Sequence, residues 1–225
     1  MRGTVPPAAQ DETTIYADLR ARILALDLPP GSQLVRGEIQ AAYRVSSTPV
    51  RDTLLRLQEE GLVDIHPQSR TLVSRIDLEQ AREAHFLRSS IERSVARQLA
   101  EKPDEDLTRK LDHIVTLQVG CAASGDLHGF ASLDLTFHRT LFEAANLVRL
   151  HHLIRRESVH IDRLRALHLP MGDKTKRIVD EHRTIIEAIA AASPKRADDA
   201  MGFHLSQSIR IATELSRIRP DYFAP

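Results

Sequence analysis

Asp134 and His138 lie four residues apart in the stretch Asp134-Leu135-Thr136-Phe137-His138. On a helix that spacing puts both side chains on one face, as a metal-binding pair requires. His182 falls on a later predicted helix and His204 on the last one. An Asp with three imidazoles is a good ligand set for a borderline divalent cation, zinc first, with nickel or manganese as further candidates. It leaves one or two coordination positions open, where a carboxylate effector could bind. Taken alone, an Asp–His pair at this spacing also arises by chance, and a lone His182 or His204 reads as a satisfied or exposed imidazole.

A second chemistry sits near the start of the chain, in Ser46-Ser47-Thr48-Pro49-Val50-Arg51. Thr48 is placed as a helix N-cap and Pro49 at the first helical position, where its missing N–H has no intrahelical partner. The exposed N–H groups of such a helix start form an anion site. Arg51, one turn in, can grip a phosphate or a guanine, or stand as a solvated helix residue. Arg44 and Ser46 can reach a nucleic-acid backbone, and Ser46 can equally cap the helix. Downstream, Gln68, Ser69 and Arg70 form a turn that could approach a minor groove.

The elements that position these groups follow from periodicity. Residues 1–13 carry Pro6-Pro7 and no stripe, as a mobile arm would. Apolar residues at Ile15, Leu19, Ile23 and Leu26 predict a helix that Pro29-Pro30-Gly31 stops. A short helix over Glu38–Tyr43 precedes the one opening at Thr48-Pro49, which carries Val50, Leu54, Leu55 and Leu57 and ends at Gly61. Val63–His66 and Thr71–Ser74 alternate as strands about the turn Pro67–Arg70. Helix, helix, turn, helix, hairpin is the order of a winged helix-turn-helix. After Ile76 helical stripes run to the C-terminus: Asp77–Glu101, Asp104–Ser124, Leu127–Ala145, Leu147–His168, Lys174–Ala192 and Lys195–Arg219. The fold class expected is therefore mainly α: a winged helix-turn-helix of three helices and a small hairpin over 14–75, then an all-α antiparallel bundle of about six helices over 76–219. Residues 220–225 are left as a tail.

Composition narrows the function classes. With 42% hydrophobic and 28% charged residues the chain can bury a core, and with 4% aromatics Leu, Ile, Val and Ala must fill it. A formal net charge of zero disfavours a generic nucleic-acid coat but not a local basic patch. The single Cys121 excludes an intrachain disulfide or thiolate zinc site and reads as a small core or interface residue. No apolar run approaches the roughly 20 residues of a membrane span, and the N-terminus lacks a signal-peptide pattern. The expected location is the cytoplasm.

The stretch Pro30–Val73, with Ser46-Ser47-Thr48-Pro49-Val50-Arg51-Asp52-Thr53-Leu54, Leu57 and Glu60-Gly61-Leu62-Val63, resembles the GntR-family DNA-binding domain. The resemblance implies DNA contacts from Ser46, Thr48, Arg51 and the wing tip. Ser47 stands where the family usually has an Arg that reads a base, and Arg70 where the wing has Gly. An Arg early in the second helix would align near Gly37, with Arg36 the nearest. Arg36, Arg44 and Ser47 complete the expected DNA-binding set, and loss of one Arg–guanine contact removes about 1–3 kcal/mol of discrimination.

Residues 77–215 resemble the ligand-binding (FCD) domain of the FadR-type subgroup, whose metal-binding members show D-x-x-x-H, a later E-H and a last-helix H. The resemblance fills all four ligand positions with Asp134, His138, His182 and His204. Arg88 and Glu92 match the subgroup's R-x-x-[IL]-E; Arg88 could clamp an effector carboxylate or pair with Glu92 at i,i+4. His85, His113, His128, His151, His152, His160 and His168 match no ligand position, and Glu181 is expected on a different helix face from His182. What the resemblance implies is a DNA-binding transcriptional regulator, with repression the expected sign. It would bind double-stranded operator DNA as a homodimer and respond to a small carboxylate effector at or near the metal. The alternatives are a metalloenzyme with an attached DNA-binding module, disfavoured by the lack of an HExxH-like motif, and a regulator that senses the metal itself.

Overall fold

Ile15, Leu19 and Ile23 fall on one face of a helix and are all buried on α1 (Glu12–Leu24). In the computed structural model, which describes residues 12–66 and 69–225, α1 packs against α3 (Ser47–Glu59). The region expected as an arm lies outside the described residues up to position 11, as does Gln68. From α3, Val50, Leu54 and Leu57 close the core with Leu62, Val63 and Val73. Leu55, counted in the same stripe, is exposed instead. A polar seam ties the two helices on the outside. Tyr16 donates to Glu60, Arg20 Nε meets Glu60 Oε2 at 2.7 Å, and the Arg56 guanidinium lies 3.6 Å over the Tyr16 ring. Between them runs α2 (Arg36–Tyr43).

The hairpin is β1 (Val63–Ile65) antiparallel to β2 (Thr71–Val73), with Val63 opposite Val73. Pro29-Pro30-Gly31 does more than stop α1. Gly31 N–H donates to Val73, Val73 N–H to Ser32 and Leu34 N–H to Thr71, so the segment after the stop pairs along β2. Gly31 sits at φ +81, a conformation L side chains rarely adopt.

The rest is helical: α4 (Leu78–Glu101), α5 (Glu105–Ser124), α6 (Leu127–Ala144), α7 (Val148–Glu157), α8 (Val159–His168), α9 (Lys174–Ala190), α10 (Pro194–Arg210) and α11 (Ala212–Ile218). The expected stretch Leu147–His168 is two helices. They part at Ser158, which leaves helical geometry at φ −92, ψ 8 and donates its Oγ to the Ile154 carbonyl at 2.6 Å. The expected Lys195–Arg219 is likewise α10 and α11, parted at Ile211. Where the boundaries were legible, caps explain them. Asp104 accepts from Asp106 N–H, and Asp126 accepts from Gly129 N–H at 2.8 Å. A Cβ on Gly129 would come within 2.3 Å of the other carboxylate oxygen, Asp126 Oδ2, so the capping carboxylate would have to shift. The bundle core gathers Leu111, Phe130, Phe137, Phe142, Ile185 and Ile189 around α9, which packs on α4, α5 and α10.

The chain divides into two compact units. One takes in the described residues up to Asp77 together with Ser216–Pro225; the other is Leu78–Leu215. The segment read as a tail therefore belongs with the first unit. Ile76 N–H donates to Tyr222, Ala224 N–H donates to Ile76, and Phe223 is buried.

Candidate metal centre and nucleic-acid interface

α6 presents Asp134 and His138 from one face, α9 presents His182, and α10 presents His204. All four are buried, and their ligand atoms lie within 4.8 Å of one another. His138 Nε2 stands 3.3 Å from His204 Nε2 and 4.0 Å from Asp134 Oδ2, and His182 Nε2 is 3.7 Å from Asp134 Oδ1. Each ring is held from behind through Nδ1. His138 Nδ1 lies 2.6 Å from Glu92 Oε2, His182 Nδ1 2.9 Å from Gln118 Oε1, and His204 Nδ1 2.7 Å from Glu181 Oε2. The oxygens hydrogen-bonded to His182 and His204 Nδ1, and the Glu92 carboxylate beside His138 Nδ1, favour protons at Nδ1 and leave the three Nε2 atoms converging. Phe137 stacks on His182 with centroids 3.8 Å apart and fixes its plane.

Electrostatics match this arrangement. Burial, then the neighbouring imidazoles, push His182 and His204 well below the usual range, so both are neutral at neutral pH, the form that ligates. Burial alone would raise Asp134, but Arg165, which donates to its Oδ2, and the imidazoles outweigh it and hold the carboxyl far below normal. Glu92 behaves likewise between Arg88 and His138. Asp134 Oδ1 and His182 Nε2 are buried without a hydrogen-bond partner. Converging lone pairs and an orphaned carboxylate oxygen, shut away from water, are unfavourable together and fit a divalent cation, which would supply the missing charge. The cluster could hold a metal; the donor set does not choose among zinc, nickel and manganese.

Arg88 and Glu92 are both buried on α4, with Arg88 Nε 2.7 Å from Glu92 Oε1. The pair foreseen at i,i+4 is present, and it has a purpose: Glu92 bridges Arg88 to His138. Glu181, expected on a different face from His182, reaches toward α10 and holds His204. Sequence reasoning also missed Gln118 and Arg165. Gln118 had a signal, being the one polar residue on the buried stripe Leu107, Leu111, Ile114, Val115; Arg165 had none. Of the histidines without a ligand position, His151, His160 and His168 are buried. Cys121 packs half-buried against the core.

In the first unit, Arg36, Arg44, Ser46, Ser47, Thr48, Arg51 and Arg70 are all exposed. The helix start differs from expectation. Ser46, not Thr48, occupies the N-cap, and Pro49 stands one turn in. The Ser46 side chain makes no capping bond, which leaves its hydroxyl outside the helix. Among the described residues, Arg51 meets only the exposed neighbour Asp52, at 3.2 Å. Arg44 closes α2 in the left-handed region at φ 56.

Residues 12–73 match the family model described as bacterial regulatory proteins, gntR family, and residues 72–207 match the FCD domain. The chain belongs to the GntR family. Within it, the chain is 32% identical to a Streptomyces ambofaciens HTH-type transcriptional regulator in an unstable DNA locus, over 93% of this chain and 88% of that one. It is 27% identical to the HTH-type transcriptional repressor RspR of Escherichia coli K12, over 93% and 92%. The fold is shared with E. coli McbR/YncC (TM-score 0.77, 17% identity, 92% of this chain and 99% of that one) and with a GntR regulator from Rhodococcus sp. RHA1 (0.74, 22%, 90% and 97%). GntR-family proteins are transcriptional regulators that bind operator DNA and are typically dimeric, not enzymes. No helix among the described residues is long and apolar enough to cross a membrane.

Proposed function

We propose that this GntR-family regulator binds operator DNA as a homodimer in the cytoplasm. A small organic acid, bound at a divalent cation held by Asp134, His138, His182 and His204, sets its DNA affinity. The observation that carries the reading is the set of three buried imidazoles, each anchored through Nδ1 and each turning Nε2 toward the same carboxylate. Such anchoring orients ligands for a cation. When bound, the cation offers Lewis acidity at its open positions, where an effector carboxylate would dock. Arg88, tied to Glu92, supports His138 in this reading and adds positive charge for the acid. The DNA face comprises Ser46, Ser47, Thr48 and Arg51 at the start of α3, Arg36 and Arg44 on either side of α2, and Gln68 and Arg70 at the wing. Repression is the expected sign, since a protein that covers an operator excludes other factors.

Elemental analysis of the untagged protein beside His138→Ala and His182→Ala tests the first step. The expected result is about one metal per chain, lost in both variants while the helical circular dichroism is kept. Metal-free wild type after dialysis against zinc or nickel would overturn the centre. Operator binding titrated with small carboxylates, with and without metal, tests the second step. A response to metal alone would make the cation itself the signal.

A further inference from the structure

Phe86 stands on the outer face of α4 and is 75% exposed, whereas Phe130, Phe137, Phe142 and Phe223 are all buried. One exposed aromatic on a surface needs no explanation by itself, but this one belongs to a pattern. Glu83, Phe86, Ser90, Ser94 and Arg97 are all exposed and follow one another at the three- and four-residue steps of a single helix face. Along that face runs a groove of about 410 Å³, walled in part by Ser89, Arg93 and Arg97 of α4 and by Asp198 of α10. Its wall is fastened. Arg93 holds Asp198 in a two-pronged ion pair at 3.0 and 2.8 Å, and a Cβ at Gly202 would come within 3.1 Å of Arg93 Nε. The other exposed phenylalanine, Phe203 at 58%, directly follows that glycine.

The stripe on α4 is symmetric about Ser90. Phe86 and Ser94 each lie four positions from it, and Glu83 and Arg97 each lie seven. The helix itself spans Leu78–Glu101, so Ser90 stands at its middle. Two such helices packed antiparallel, with Ser90 on a two-fold axis, bring each member against its mate, once on either side of the axis. Phe86 meets the partner's Ser94 and enters the groove there, and Glu83 meets the partner's Arg97. A parallel pairing would instead set Glu83 on Glu83 and Arg97 on Arg97. Within one chain, among the described residues, Glu83 has no ion pair and Arg97 bonds only Ser94 Oγ, at 3.1 Å. Both charges are therefore free for a complementary surface. Farther out, Glu79 would face the partner's Glu101, about 16 Å from the axis, where crossing helices have diverged.

We propose that the α4 face centred on Ser90 is the surface through which two copies of this chain pair, antiparallel across a two-fold axis. This rests on the homodimer reading above and gives that dimer an interface within the bundle. The partner's Phe86 fills the groove, and the two Glu83–Arg97 pairs fix the register.

Sedimentation equilibrium of the full chain tests the face, and cysteine cross-linking tests the register. The wild type is expected as a dimer. Phe86→Glu is expected to weaken it about 100-fold or more, since each copy would push a carboxylate into the other's groove. Under mild oxidation Ser90→Cys is expected to run as a covalent dimer on a non-reducing gel, because the two copies of that position meet at the axis. Glu83→Cys, about 21 Å from its own copy in the antiparallel pair, is expected to stay uncross-linked. Both are read against the wild type, which keeps Cys121. Metal content and helical circular dichroism are expected at wild-type values in all three variants, because Arg88 and Glu92 lie on the buried side of α4. A dimer that Phe86→Glu leaves intact, a Ser90→Cys chain that stays uncross-linked, or a cross-link through Glu83→Cys would each overturn this face and leave the homodimer reading standing. A wild type that sediments as a monomer would remove that reading and the face together.

Discussion

An imidazole is a good ligand only when its ring cannot turn away, and here the turning is prevented by residues one layer out. Glu181 is the clearest case. It sits one position before His182 on α9, yet its carboxylate reaches across to His204 on α10 at 2.7 Å. Glu181→Ala removes that acceptor and leaves His204 Nδ1–H without a partner. The expected outcome is metal affinity lowered about 10- to 100-fold with all four ligands present, measured by competition with a chelator of known affinity. An unchanged affinity would mean that packing alone orients His204. Spacing made Asp134 and His138 legible, because i and i+4 on one helix is a local relation. That Glu92, Gln118 and Glu181 stand behind the three rings was not legible, because each link joins helices far apart in sequence.

The winged helix-turn-helix was readable because its signals are local: an apolar stripe of which Ile15, Leu19 and Ile23 fall on α1, a Pro-Gly stop, alternation in two short strands. Its fine structure was less so. The start of α3 moved from Thr48 to Ser46, since Ser, Thr and Pro are all acceptable near a helix start and only the surrounding packing chooses among them. In the bundle, the break at Ser158 could not be seen, because a Ser that bonds the carbonyl four residues back looks in sequence like any helical Ser. Arg44 offers a test at this scale. It ends α2 at φ 56, where a residue with a Cβ costs about 1 kcal/mol and Gly costs little. Arg44→Gly is therefore expected to raise stability slightly, by up to about 1 kcal/mol in urea unfolding, while operator affinity falls and its salt slope shrinks by roughly one unit. Arg51→Ala, on regular helix, is expected to weaken operator binding without that gain. An Arg44→Gly protein that binds DNA as tightly as wild type would leave the strain at Arg44 unexplained by DNA contact.

Two units on one chain must communicate if an effector is to change DNA affinity, and a ligand shifts such an equilibrium only by its differential affinity for the two states. The linker stretch Ser74–Leu78 is the obvious route. The chain in fact passes between the units twice, at Asp77–Leu78 and again at Leu215–Ser216. The second passage continues from α10, which carries His204, through α11 to a 3-10 turn at Pro220–Tyr222 and then Phe223. Phe223 is what fastens this return: it is 5% exposed and flanked by the two backbone hydrogen bonds to Ile76, itself fully buried. No local pattern foretells this return, since six residues with one Phe and two Pro carry no periodicity. Phe223→Ala deletes the anchor of the DNA-binding unit's own fold, and a buried Phe truncated to Ala costs about 3 kcal/mol or more. For a unit of this size the midpoint is expected to fall by about 10 °C or more in the calorimetric transition that tracks loss of operator binding. Metal content should stay at the wild-type value, because the centre lies in the other unit. If that transition does not move, the return segment is not part of the DNA-binding unit's stability, and the linker is left as the one connection whose order matters.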